Sequence, residues 1–145
     1  MSNASLRVKQ LIQDMIGDRK YYVELNELLE KQRLLIIARQ TAELDALNAQ
    51  LIEIYQYLSR SAQQRHTLLQ QLGVPSGPQG IKALFAKLPA SHHSKVNALW
   101  EDLERQANRC HSANESNGIL LNMQQEILMN LINTSEPENW LYQQV

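Results

Sequence analysis

Three long stretches of this 145-residue chain repeat apolar residues at intervals of three and four. That spacing gathers side chains on one face of an α-helix. On the first stretch Val8, Leu11, Met15, Tyr22, Leu25, Leu29 and Ile36 share a face. On the second, Leu44, Leu47, Leu51, Ile54, Leu58, Ser61, Arg65, Leu68 and Leu72 do so. The third aligns Val96, Leu99, Trp100, Leu103, Ala107, Cys110, Leu121, Leu128 and Leu131, with Asn114 and Asn117 as polar interruptions of the same seam. A chain patterned this way buries its seams against itself and leaves any surplus apolar surface to a partner. The pattern predicts an all-α fold, an elongated antiparallel bundle of three long helices plus one short helix, as one domain over residues 1–145. Aromatic residues make up only 6%, so the core is built mainly from Leu, Ile and Ala.

Punctuation sets the boundaries. Helix 1 is expected over about 6–39 and helix 2 over about 41–72, with the Thr41 hydroxyl as cap and Glu43 favourable in the first turn. Gly73 supplies a left-handed stop with Pro75 following. Residues 73–80 hold three Gly and two Pro and read as a loop. A short helix follows over 81–88, with Ile81, Leu84, Phe85 and Leu88 on one side. Helix 4 then runs over about 91–133, capped by Ser91 or Ser94, and residues 134–145 form a flexible tail carrying Trp140, Leu141 and Tyr142. The turn near residue 40 makes helices 1 and 2 antiparallel, with facing residues summing to about 80. Asp18 is the one acid on the helix 1 seam and Arg65 the one base on the helix 2 seam, and this register brings them together with Ser61 beside them. Such a pair fixes register more than it stabilises.

No reaction chemistry is legible. A di-metal bundle site needs Glu-x-x-His pairs projecting inward, but Gln63, Pro89, Ala90 and Asn108 precede the four histidines by three residues. Cys110 and His111 are neighbours that point apart on a helix, and the Gly-Pro-Gln-Gly segment ending at Gly80 lacks the Lys and Ser/Thr of a phosphate loop. No catalytic residue, metal, cofactor or small-molecule substrate is therefore expected. A net charge of -1 without a Lys/Arg run argues against nucleic acid. The longest uninterrupted apolar run, Leu34 to Ala38, is too short for a bilayer, so membrane insertion is not expected. Charged residues from Arg7 onward break up any signal peptide, and a single cysteine suits a reducing cytosol.

The apolar face widens at one end. Setting residue 92 level with residue 72 puts residue 120 opposite residue 36, so that everything after about Asn122 overhangs the turn between helices 1 and 2. There Ile119, Leu120, Leu121, Met123, Ile127, Leu128, Met129, Leu131 and Ile132 cover much of the helix, whereas a seam needs only a narrow stripe. Leu34 to Ile37 is similarly broad at the same end. Leu34, Ile37, Ile119, Leu120, Met123, Ile127, Leu128, Leu131 and Ile132 are the candidate binding residues. Four positions off the narrow stripe (Ile119, Met123, Met129 and Ile132) would each gain roughly 1.5–3 kcal/mol on full burial. Asn114 and Asn117 are expected as a polar layer fixing register, with Gly118 permitting close helix approach.

The segment Asn114-Glu-Ser-Asn117-Gly118-Ile-Leu-Leu121, preceded by Leu103 and Cys110, resembles the last long helix of flagellar export chaperones of the FlgN type. Leu28-Leu29-Glu30, the Leu44, Leu47, Leu51 series and Arg65-x-x-Leu68-Leu69-x-x-Leu72-Gly73 resemble that family's paired first helices. Together these motifs span roughly residues 20–132. Gln50 departs from the pattern, where a Lys is expected. The resemblance implies a bacterial cytoplasmic chaperone of type III export. Its clients would be hook-associated proteins of the hook–filament junction, held by their C-terminal helical segments until delivery to the flagellar export gate. It also implies a gate contact in the C-terminal segment, where Trp140 and Tyr142 stand. The rival expectation from the residues is a constitutive coiled-coil adaptor or homodimer.

Overall fold

The computed structural model describes the backbone of residues 3–135 and the side chains of residues 3–131. Every element in it is helical: α1 (Asn3–Ala38), α2 (Thr41–Gln71), α3 (Pro78–Ala86) and α4 (Ala90–Ser135). The three long helices run alongside one another, α2 antiparallel to α1 and α4 parallel to it, with α1 packed against both.

Both ends of the α1–α2 hairpin are closed by the same backbone device. After α2, the Gly73 N–H donates to Gln70 O and the Val74 N–H to Leu69 O, with Gly73 at φ 74. This is the Schellman arrangement, in which a left-handed residue lets the chain satisfy the last free carbonyls. After α1, the Arg39 N–H donates to Ile36 O and the Gln40 N–H to Leu35 O. Here the left-handed residue is Arg39, at φ 56, where a Cβ is disfavoured by about 1–2 kcal/mol. Gln40, rather than Thr41, occupies the N-cap of α2 and makes no side-chain cap bond; Thr41 is already helical. Likewise α4 starts at Ala90, before Ser91 and Ser94, and the Pro89 carbonyl accepts from the His92 N–H. The third helix begins inside the segment read as a loop, because Pro78 sits at its first positions, where a missing N–H forfeits nothing and φ is preset.

Two apolar clusters fill the bundle. One joins Leu11, Met15 and Leu69 to Ile81, Leu84 and Phe85 of α3 and to Val96 and Leu103 of α4. α3 thus plugs the end of the bundle away from the α1–α2 turn. The other runs from Leu25, Leu28 and Leu29 across to Leu47, Leu51, Ile54 and Leu58, with Cys110 from α4.

Between the clusters the seam is polar. Asp18 is 1% exposed; the Ser61 hydroxyl donates to both its carboxylate oxygens at 2.7 and 2.8 Å, and Arg65 Nη1 donates to Oδ2 at 2.9 Å. The Arg65 guanidinium lies 6.0 Å from the centre of the Trp100 ring, which brings α4 into contact with the cluster. Towards the turn, an amide chain ties all three helices: Asn117 Nδ2 donates to Gln32 Oε1 at 2.9 Å, and Gln32 Nε2 to Asn48 Oδ1 at 2.8 Å.

The register of α4 against α1 is fixed by donors at seven-residue intervals. Cys110 Sγ lies 3.5 Å from Tyr22 O, Asn117 Nδ2 donates to Leu29 O at 2.9 Å, and Gln124 Nε2 to Ile36 O at 2.9 Å, each pair separated by 88 in sequence. A repeat of seven, with both helices advancing together, is the geometry of a parallel coiled-coil pair. Residue 124, not 120, therefore lies opposite residue 36. The shift of about one turn arises at the other end, where the loops around α3 let α4 begin beyond the end of α2.

Candidate protein-binding site

The same separation of 88 sets residue 126 opposite Ala38, the last residue of α1. α4 continues to Ser135, roughly 14 Å further at 1.5 Å per residue. Along this projection the seam keeps its period but loses its partner. Leu131 follows Gln124 by seven residues, and Ile127 and Leu128 follow Leu120 and Leu121 by the same interval.

The exposures match that geometry. Leu34, Ile37, Ile119, Met123, Ile127, Leu128 and Leu131 are each between 50% and 61% exposed, and Met129 lies in the same range. Leu120 is half-buried. Ile132 lies in the α4 backbone, its side chain outside the described residues; Trp140 and Tyr142 lie wholly outside them. The exposed residues do not form one face. At 100° per residue, Leu120, Leu121, Ile127, Leu128 and Leu131 continue the side of α4 that carries Asn117 and Gln124, whereas Ile119, Met123 and Met129 point well away from it.

A cleft of about 240 Å3 opens where α4 leaves the corner between α1 and α2. Leu121, Gln124, Gln125 and Leu128 line it from α4, Leu35, Ile36 and Arg39 from the end of α1, and Thr41 and Leu44 from the start of α2. Of the candidates named from sequence, only Leu128 enters it. Leu121, 39% exposed, and Leu35 and Leu44, both half-buried, were missed. Leu44 and Leu121 do carry the right spacing, but spacing alone assigned them to a covered seam. The floor is thus apolar, and amides at Gln124 and Gln125 with the Arg39 guanidinium edge it.

Two other expectations need correction. Asn114 is exposed: in a seven-residue repeat running through Cys110 and Asn117, the inward position between them falls to Ala113. Gly118 is exposed too, and a Cβ built on it meets nothing within 4 Å, so it permits no close helix approach. Asn117 is buried and bonded as described above.

Among the described residues, no group of three or more His, Cys, Asp or Glu side chains is placed to hold a metal, and no helix is long and apolar enough to cross a membrane. Burial pushes the Cys110 thiol up to about 11, well away from the range of a reactive thiolate. Arg19, hydrogen-bonded to Asp102, holds that carboxyl below its ordinary range.

A family model described as FlgN protein matches residues 1–139. The chain belongs to the FlgN family. It is a family of flagellar export chaperones, and the role of this chain is accordingly to bind flagellar protein and serve its export. No curated protein sequence and no solved structure matches the chain. The cleft and the α4 projection together expose apolar side chains at the turn end of the bundle.

Proposed function

We propose that this FlgN-family chaperone binds the C-terminal helical segments of hook-associated proteins in the bacterial cytoplasm, blocks their premature assembly and delivers them to the type III export gate. The observation that carries the site is the corner cleft, continued by Ile127, Leu128 and Leu131 on α4 beyond the end of α1. A client helix lying there extends the bundle, its apolar face filling the place that α1 and α2 vacate. Burying the remaining half of Leu121, Ile127, Leu128 and Leu131 yields roughly 3–6 kcal/mol, and the client's own apolar face contributes similarly. Ordering a disordered segment takes about 2–5 kcal/mol of that gross gain. The balance, centred on about 5–6 kcal/mol, corresponds to a Kd of about 100 μM; capture of that strength is reversible, which handover requires.

Calorimetry with C-terminal peptides of hook-associated proteins tests the site. Leu121→Asp with Leu128→Asp is expected to weaken binding at least 100-fold, about 2.7 kcal/mol, with far-UV circular dichroism unchanged. Affinity within threefold of wild type refutes it. A second reading, pairing of this surface with a second copy, is favoured by charge: residues 118–135 carry only Glu126, so self-pairing meets little repulsion. Sedimentation separates the two, since a stable dimer at low micromolar concentration that persists with client present supports the second.

A further inference from the structure

The opposite end of the bundle carries a different surface. Residues 1–13 and 54–100 contain seven Lys and Arg and no Asp or Glu, while the rest of the chain holds seven cations and all fifteen acids. Arg65 is held mid-bundle by Asp18, while the fold brings residues 3–13 and the part of the second segment from Leu68 onward to the α3 end. Because α1 and α4 are parallel, both of their N-termini point there, and neither has an acidic residue in its first turn. The partial positive charge at these ends adds to that of the side chains.

A groove of about 660 Å3 runs along this end between α1 and the α3–α4 corner, with Val8, Ile12, Leu88 and Val96 as its apolar floor. Lys9, His92 and Lys95 stand on its rim, and among the described residues neither lysine takes part in an ion pair. We infer that this groove is a second docking surface, which takes an acidic amphipathic helix from a partner protein. Apolar residues at helical spacing fit the floor and carboxylates meet the two lysines. Duplex nucleic acid has no apolar face for such a floor, and no Phe, Tyr or Trp lines the groove as a stacking platform for single strands. A membrane surface takes a projecting apolar face rather than a cleft between helices.

Val96 and Leu128 lie roughly 48 Å apart along α4, so both surfaces can be occupied at once. That the acidic partner belongs to the export apparatus rests on the delivery role proposed above; the groove's preference for acidic helices does not. The test uses the full chain and a fluorescein-labelled designed helical peptide of about 18 residues, with Leu at positions i, i+3, i+4 and i+7 of its repeat and Glu on the flanks. Fluorescence anisotropy is expected to show saturable binding, at least tenfold stronger than for the same peptide with Lys in place of Glu. Lys9→Glu with Lys95→Glu is expected to weaken it at least tenfold while leaving hook-associated peptide affinity and the circular dichroism spectrum unchanged. Leu128→Asp leaves acidic-peptide binding intact. Equal binding of the Lys peptide, or loss through Leu128→Asp in place of the lysine variant, overturns the inference. So does tighter, Lys9- and Lys95-dependent binding of phosphatidylglycerol vesicles or duplex DNA, which assigns the surface to lipid or nucleic acid.

Discussion

Removing Arg65 tests what the buried charge cluster does for the bundle. Asp18 is almost fully enclosed, and Arg65, with its side chain 19% exposed, is its only cationic partner among the described residues. Arg65→Met leaves the carboxylate with Ser61 alone. Stripping one partner from a buried pair typically destabilises by 3–5 kcal/mol; with Arg65 partly in contact with water, the lower end of that range, about 3 kcal/mol, is expected. Asp18→Leu is milder, about 1–2 kcal/mol, because the guanidinium, on a side chain already partly in contact with water, can turn towards solvent. The double variant replaces the pair by apolar contacts and is expected within about 1 kcal/mol of wild type. The cycle then yields a coupling of about 3–6 kcal/mol, read from urea unfolding followed by circular dichroism. Coupling below about 0.5 kcal/mol, with the single effects simply adding, refutes the claim that the two side chains depend on each other.

Two glycines separate in the same assay. Gly118→Ala fills open space on an exposed helix face and is expected to raise stability by about 0.5–1 kcal/mol, whereas at Gly80 a Cβ would fall 1.6 Å from the Pro75 carbonyl oxygen, so Gly80→Ala pushes α3 off its seat and lowers stability by about 2 kcal/mol or more. Cys110 is expected to react with thiol reagents at pH 8 about 100-fold more slowly in the native protein than in urea. Since its folded value near 11 lies above the ordinary thiol value of 9.0, the fold favours the protonated thiol; this contribution to stability is full below pH 9 and is lost as pH rises through 11, which urea titrations across that window would measure.

Much of this fold was legible because α1 and α2 obey one period. The series from Leu44 to Leu72 is a strict alternation of three and four, and a turn of minimal length leaves a single register, so Asp18 and Arg65 could be paired on paper. The register of α4 could not, because it depends on how α3 seats Ile81, Leu84 and Phe85 against Leu69, and no local spacing encodes that. The choice between Asn114 and Asn117 fails for a related reason. Both fit a helical stripe three residues apart, and only the Leu29 carbonyl and the Gln32 amide on the neighbouring helix decide which one turns inward. The cleft was hidden by its own regularity. The overhang after Asn122 and Leu128 within it were legible, but Leu44 and Leu121 continue unbroken seams in sequence, and only the observed corner between α1, α2 and α4 shows them lining a cleft.

The distribution of side chains along α4 bears on why that surface exists. Its first half meets α1 and α3 through Val96, Leu103 and the flanking Leu99 and Trp100. Beyond Leu103 α4 meets α1 through Gln106, which accepts from Asn26 at 2.8 Å, and through Cys110, Ala113, Asn117 and Gln124. Amides that donate to helix carbonyls set register strictly but add little adhesion, since each net hydrogen bond contributes only about 0.5–1.5 kcal/mol. Meanwhile Ile127, Leu128 and Leu131, further along, stay half-exposed or more. A helix selected for bundle stability alone would exchange these two sets, turning leucines inward and amides outward. The observed arrangement forgoes that stability to keep apolar side chains at an open end, and a surface kept at such expense is best explained by a partner that buries it.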